Sequence, residues 1–234
     1  MTTGDDRSER FDVVIKNGHV IDGSGKPRIR ANLAVRGHRI QGIGPDLKGD
    51  REIDASGMIV SPGFIDMHTH SEYSLLLDPR GLSKVTQGVT TEVLGEHHSA
   101  GPVLGKAEDD PILLAYGVER DWATLGEYFE RIGQQGIGQN VLSFVGAGQV
   151  RACVVGVRYE NRPTTDAEMG EMRHLVAQAM DEGAFGVSSG MFYVPSIYAS
   201  TEELVELAKV AASYGGVYAT HLRAGLDGLH EALR

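Results

Sequence analysis

A single cysteine, Cys153, and a single tryptophan stand in 234 residues, and aromatic side chains make up only 6% of the chain. One cysteine excludes an intrachain disulfide framework and fits a reducing, cytoplasmic setting. Cys153 lies in the apolar run Ala152-Cys153-Val154-Val155, so it reads as a small buried hydrophobe rather than a nucleophile. Basic charge is also scarce: 22 lysines and arginines face 32 aspartates and glutamates, for a net charge of −10. With the lysines scattered and no basic stripe to neutralise phosphates, a nucleic-acid partner is not expected. No apolar run approaches the length of a membrane span, so no membrane partner is expected either. Residues Met1 to Arg10 are polar and of mixed charge, without the apolar segment of a secretory signal.

What the chain does have is a 41% hydrophobic content, enough for one large domain or a domain with a small satellite. Between Phe11 and Val60, β-like runs at Asp12 to Lys16, His19 to Ile21, Asn32 to Val35, Arg39 to Ile43 and Met58 to Val60 are broken by glycines and Pro45. They predict a small antiparallel β unit over residues 1–61, too thin to bury much core by itself. After Gly63 the rhythm becomes strand, loop, helix, strand, which predicts βαβ units and a parallel sheet or barrel over residues 62–234. Strands are expected at Gly63 to His70, Thr90 to Gly95, Asn140 to Gly146, Gly183 to Ser188 and Gly216 to His221. Helices are expected at Pro79 to Gln87, Thr124 to Gln134, Thr165 to Glu182 and Thr201 to Tyr214, the last with Ser200 or Thr201 as its cap. The stretch from Ser99 to Asp121 is expected to loop over one end of the sheet.

Metal-binding residue types fall at the ends of three expected strands: His68 and His70, then Glu96-His97-His98, then His221. Alternate residues of a strand face the same way, so His68 and His70 can reach one ion. The plainer alternative is two structural histidines beside a polar loop. In a parallel barrel the C-terminal strand ends share one face, where active sites are built. His19, His38, His174 and His230 read as surface or structural, and Ser99, near Gly101 and Pro102, as a turn residue.

Several segments together carry a resemblance. They are Asp12-Val13-Val14-Ile15-Lys16-Asn17-Gly18 with Val20-Ile21-Asp22-Gly23, the Pro62 to His70 segment, Gln87-Gly88-Val89-Thr90-Thr91, Gly190-Met191-Phe192-Tyr193-Val194-Pro195, and Gly215-Gly216-Val217-Tyr218-Ala219-Thr220-His221-Leu222-Arg223. In this order they resemble the amidohydrolase superfamily, and within it the D-aminoacylase group, which deacylates N-acyl-D-amino acids. The resemblance implies an α/β fold: the N-terminal part of a metal-dependent (β/α)8 TIM-like barrel, about five strands, preceded by a small β-sandwich segment of a composite domain.

It also implies a site. His68 and His70 match the first-strand metal ligands and His221 the fifth-strand ligand. At the second strand, where the group has an Asn-Cys pair, Glu96 is favoured because a carboxylate can bridge two cations as a thiolate does, with His97 as the alternative. No lysine stands near Gly186-Val187-Ser188-Ser189, so a carbamylated lysine bridge at the fourth strand is not expected. The implied cofactor is a divalent metal, Zn²⁺ in one or two ions, and the implied reaction is amide hydrolysis by metal-activated water. Tyr193 and Arg223 are candidate contacts to a substrate carboxylate, with packing and a surface helix start as their plainer alternatives.

The implied partner is a small-molecule N-acyl amino acid or related amide. The sixth-strand histidine, the eighth strand and the proton-shuttling aspartate of the family are expected beyond Arg234, and Asp227 fits a helix start better than that shuttle. A second chain or self-association would cover the open sheet edges. The alternatives are a cyclic-amide hydrolase of dihydroorotase or hydantoinase type, and a non-catalytic remnant.

Overall fold

The computed structural model describes residues 10–107, 115–156, 161–223 and 228–232. The chain divides into two compact units, Met1–Gly63 and Phe64–Arg234.

The first unit is one five-stranded mixed sheet of β1 (Phe11–Val20), β2 (Ile29–Arg36), β3 (Arg39–Gly44), β4 (Gly49–Asp54) and β5 (Ile59–Val60). The purely antiparallel unit expected from the sequence is corrected here. β1 pairs β2 antiparallel but pairs β4 and β5 in parallel. The strand order β3-β2-β1-β4 explains this: after β3 the chain crosses to the far side of β1, where its direction matches β1. β4 escapes a hydrophobic reading because Asp50, Arg51, Glu52 and Asp54 leave it no apolar face. Its ladder to β1 holds it, reinforced by Lys16 Nζ to Glu52 Oε2 at 2.6 Å.

The second unit is built from βαβ steps. Its elements in chain order are β6 (Phe64–Asp66), α1 (Ser74–Leu77), α2 (Leu82–Val85), β7 (Val89–Leu94), α3 (Leu125–Gln135), β8 (Asn140–Ser143), β9 (Val145–Gly146), α4 (Ala147–Val154), α5 (Asp166–Asp181), β10 (Gly186–Gly190), α6 (Thr201–Ser213), β11 (Val217–His221) and α7 (Leu229–Ala232). Every pairing is parallel, with β7 between β6 and β8, and β10 between β9 and β11. Only Phe144 separates β8 from β9, and its amide donates to Leu94 O at 2.9 Å. The two therefore form one kinked strand, and five barrel-type strands lie side by side in chain order. Among the described residues β6 and β11 do not pair, so the sheet does not close.

The sequence sets the long helices through their first turns. Thr124 and Glu127 form a reciprocal capping box on α3, Thr165 and Glu168 do the same on α5, and Ser200 caps α6 by accepting from Glu203 N at 3.1 Å. The expected helix over Pro79 to Gln87 shrinks to α2. Gly81 takes a left-handed φ of +54°, and the Asp78 carboxylate turns back onto Arg80 N instead. Met172, Val176 and Ala179 of α5 and Leu207 and Ala211 of α6 join Val145 and Val187 of the strands in the core. No helix among the described residues is long and apolar enough to cross a membrane.

The sequence pattern does not predict α4, because every one of its residues is buried and it shows no amphipathic period. It brings Arg151 into the core beside Glu203, with Nη1 to Oε2 at 2.5 Å and neither side chain more than 4% exposed. Nη2 donates to Arg162 O at 2.7 Å and Thr164 Oγ1 donates to Glu203 at 3.3 Å, so this pair links α4, the approach to α5 and the start of α6. Removing one partner of such a pair strands a buried charge. Glu203→Ala should therefore cost about 3–5 kcal/mol in urea unfolding, whereas Arg151→Met with Glu203→Leu together should recover most of that loss.

A second buried carboxylate lies at the end of β7. Glu72 accepts from Gly95 N at 2.7 Å, and its own carbonyl accepts from Tyr128 Oη at 2.8 Å. Burial pushes its carboxyl up to about 7; the Gly95 bond opposes the rise, and the charges of Glu92 and Glu96 add to it. The folded chain thus holds this proton more tightly than the unfolded chain, and stability falls as pH rises from about 4.5 to about 7. In chelator-treated protein, Glu72→Gln should be more stable than the parent at pH 8 by on the order of 3 kcal/mol. That advantage should vanish by pH 4 in the same unfolding measurement.

Candidate metal centre

The parallel register carries the strand ends to one edge. Asp66 pairs with Glu92, Leu94 with Ser143, Ser188 with Gly146, and Gly190 with His221. The segments just past those pairs hold the histidines.

His68 and His70 lie beyond the strand rather than on it, which corrects the expected strand from Gly63 to His70. Asp66 Oδ1 accepts from His68 N at 3.2 Å and its other oxygen binds Lys84 Nζ, so the backbone turns out of the ladder at Asp66. Pairing returns once, where Thr69 N donates to Val93 O at 3.2 Å. Even so, the two imidazoles stand together, with ring centres 5.2 Å apart. His221, at the end of β11, lies 5.2 Å from His68.

After β7 the chain makes a tight turn through Gly95, Glu96 and His97. Glu96 is buried and places Oε2 3.8 Å from His68 Nδ1. The His97 ring lies 6.1 Å from His70 and stacks on Tyr193 at 4.3 Å with planes 9° apart. Tyr193 in turn stands 6.0 Å from His221. The structure therefore brings His68, His70, Glu96, His97, His221 and Tyr193 into one cluster. Arg223 follows β11 and donates from Nη1 to Ala199 O at 3.0 Å, beside the segment that follows β10. Asp227 lies outside the described residues. His38, His174 and His230 are exposed and His19 partly so, and Ser99 serves its turn by donating to Gly101 O at 2.6 Å.

The electrostatics suit a cation. Burial, followed by neighbouring His98 and His70, pushes the His97 imidazole down to about 3. Burial, followed by His68 and His221, lowers His70 as well. Both rings are neutral at physiological pH, the form whose lone pair can ligate. His97 Nδ1 is buried without a hydrogen-bond partner among the described residues, a buried polar atom with no protein partner. Among the described residues no three His, Cys, Asp or Glu side chains are grouped closely enough to enclose an ion. The donor chemistry, imidazoles with a carboxylate, fits a divalent ion.

Some residues around the cluster could not be singled out from the sequence. Glu92 is fully buried in mid-strand, accepting from Thr69 Oγ1 at 3.0 Å, Ser71 Oγ at 2.6 Å and Gln139 Nε2 at 2.5 Å. Its one sequence signal is a lone acid inside an apolar strand. Ser188 bonds to the Gly95–His97 turn, and nothing in the pattern Val187-Ser188-Ser189 distinguishes it.

Known proteins share this fold and sequence. The sequence model of the amidohydrolase family matches residues 51–212. The chain is 38% identical to a D-aminoacylase of Alcaligenes xylosoxydans xylosoxydans over 92% of its length and 45% of the relative's. It is 36% identical to an N-acyl-D-glutamate deacylase of the same organism, over 96% of this chain and 46% of that one. Among solved structures, the N-acyl-D-glutamate deacylase of Bordetella bronchiseptica, complexed with zinc and a phosphonate mimic of the tetrahedral intermediate, superimposes with a TM-score of 0.88 at 35% identity, covering 96% of this chain and 48% of that one. An L-hydantoinase of Arthrobacter aurescens, at 21% identity and a TM-score of 0.57 over 91% of this chain and 41% of that one, shares the fold alone. The chain spans about half the length of the curated relatives it matches. By the family match over most of its length and its likeness to these deacylases, it belongs to the amidohydrolase family, in the D-aminoacylase group.

Proposed function

We propose that this chain carries the metal-binding part of a hydrolase that deacylates N-acyl-D-amino acids. The observation that carries the reading is the convergence of His68, His70, Glu96 and His221 at the C-terminal ends of parallel strands. In this reading these four hold the ion, with His97 as the alternative to Glu96 at the second strand. Imidazoles with a carboxylate suit Zn²⁺, which these residues would hold as one ion or two. When bound, the ion supplies Lewis-acid polarisation of the amide carbonyl and lowers the pKa of water to about 7.

The chain's own residues supply the rest of the argument. Tyr193 is half exposed beside His221 and His97, where its ring can wall the substrate and its hydroxyl can donate to a carboxylate. Arg223, just past β11, offers a planar guanidinium suited to a carboxylate fork. Glu96 is buried, whereas His68 and His70 are exposed and His97 and His221 partly so, which joins a buried carboxylate to solvent-accessible imidazoles. Deacylation is favoured over cyclic-amide hydrolysis because likeness to the deacylases reaches 36–38% identity, whereas the hydantoinase shares only the fold. A cytoplasmic setting accords with a chain whose one cysteine is a buried thiol.

The test uses the 234-residue chain, with bound metal measured by mass spectrometry. N-acetyl-D-leucine, N-acetyl-D-aspartate, N-acetyl-D-glutamate, their L forms and hydantoin are offered, and the released amine is assayed. Zinc binding is expected, and D-selective release that stops on chelation and returns with zinc would carry the deacylase reading to this chain by itself. His221→Ala should reduce both zinc content and turnover, the latter by about 100-fold or more. Hydrolysis of hydantoin alone, or an absence of turnover with zinc fully bound, would overturn the deacylase reading for this chain.

A further inference from the structure

We propose that Ser188 is a positioning residue for the second-strand metal ligand, an inference that rests on the metal-centre reading above. Ser188 sits in β10 with none of its side chain exposed. Its hydroxyl donates to Gly95 O and accepts from His97 N at 2.9 Å. Those two backbone groups flank Glu96, so one hydroxyl pins the turn on both sides of it.

The turn needs pinning. Gly95 has a φ of +81° and His97 a φ of +55°, and a left-handed conformation costs a non-glycine residue roughly 1–2 kcal/mol. Gly95 has no alternative residue here, because a Cβ on it would lie 2.1 Å from Phe144 O. Ser188 reaches the turn across the neighbouring strand β9, where its register partner is Gly146. A Cβ on Gly146 would lie 2.3 Å from His97 O, and one on Gly190 would lie 2.5 Å from His97 Cβ. The turn is therefore seated against two strands that have no side chain at the points of contact, and Ser188 supplies the directional bonds that steric fit alone does not.

The pinned turn has two consequences. The Glu96 carboxylate faces His68, and the His97 ring lies against Tyr193 on the side of His70. Whichever of the two ligates the ion, its backbone is set by the same hydroxyl. Without that hydroxyl, Gly95 O and His97 N lose a buried partner, and His97 is released toward right-handed backbone. Both candidate donors would then have to be reordered each time an ion binds, which weakens affinity without removing a ligand.

Zinc affinity of the 234-residue chain is measured by competition with a chromophoric chelator after stripping with EDTA, together with the visible spectrum of the Co²⁺-loaded protein and urea unfolding of the metal-free form. Ser188→Ala should bind zinc about 10–100-fold more weakly and alter the Co²⁺ ligand-field bands. Ser188→Thr, which restores the hydroxyl, should recover most of the affinity. Gly146→Ala, which pushes on His97 O from β9, should weaken zinc in the same direction and gives a second route if Ser188→Ala does not fold. Zinc affinity of Ser188→Ala within about threefold of the parent overturns the proposal, as does equal loss in the Ala and Thr variants, which would assign the effect to packing. A parent chain that binds no zinc overturns the metal-centre reading and this proposal with it.

Discussion

Parallel strand pairing in one continuous order is the constraint on which the site depends. Five strands run the same way, so their C-terminal ends arrive together, and residues separated by more than a hundred positions become neighbours. His68 and His221 have ring centres 5.2 Å apart only because β6 and β11 end on the same side. A reversal of any one strand would carry its ligand to the opposite end of the sheet.

The second unit accommodates buried charge by giving each charged group local partners. Glu92 accepts three side-chain bonds, Arg151 meets Glu203, and Glu72 accepts from Gly95 N. Each of these contacts joins segments distant in sequence, such as Gln139 with Glu92 and Arg151 with Glu203. Polar groups in such positions add little net stability, but leaving one unmatched is costly. They therefore disfavour arrangements that would leave these carboxylates without their partners. The turn at Gly95 to His97 follows the same logic on a smaller scale: the matched groups are the Ser188 hydroxyl and the backbone on either side of Glu96.

Local signals make much of the architecture legible. The helix starts at Thr124 and Thr165 and the cap at Ser200 or Thr201 are visible because such side chains bond within their own first turns. Strands at Thr90 to Gly95 and Gly216 to His221 are visible because Val, Leu and Thr concentrate between glycines. α4 is hidden because burial on all sides removes the periodic contrast that marks a helix. β4 is hidden for the opposite reason, since its side chains are mostly exposed and charged, and its crossing to the far edge of β1 leaves no mark in local sequence.

The sequence by itself determined that metal-ligating residue types fall at the ends of the first, second and fifth strands, because short apolar runs ending in His or Glu are local patterns. It also carried the resemblance to the D-aminoacylase group. Tertiary structure alone decided that His68 and His70 lie past the strand, where Asp66 turns the backbone, and that Glu96 and His97 both face the cluster from one turn. It alone decided that Ser188 holds that turn, since this contact runs between residues 91 positions apart. The physical reason is reach: a hydrogen bond or a ring contact acts over a few ångströms, and only the parallel register of the folded sheet brings such distant residues within that range.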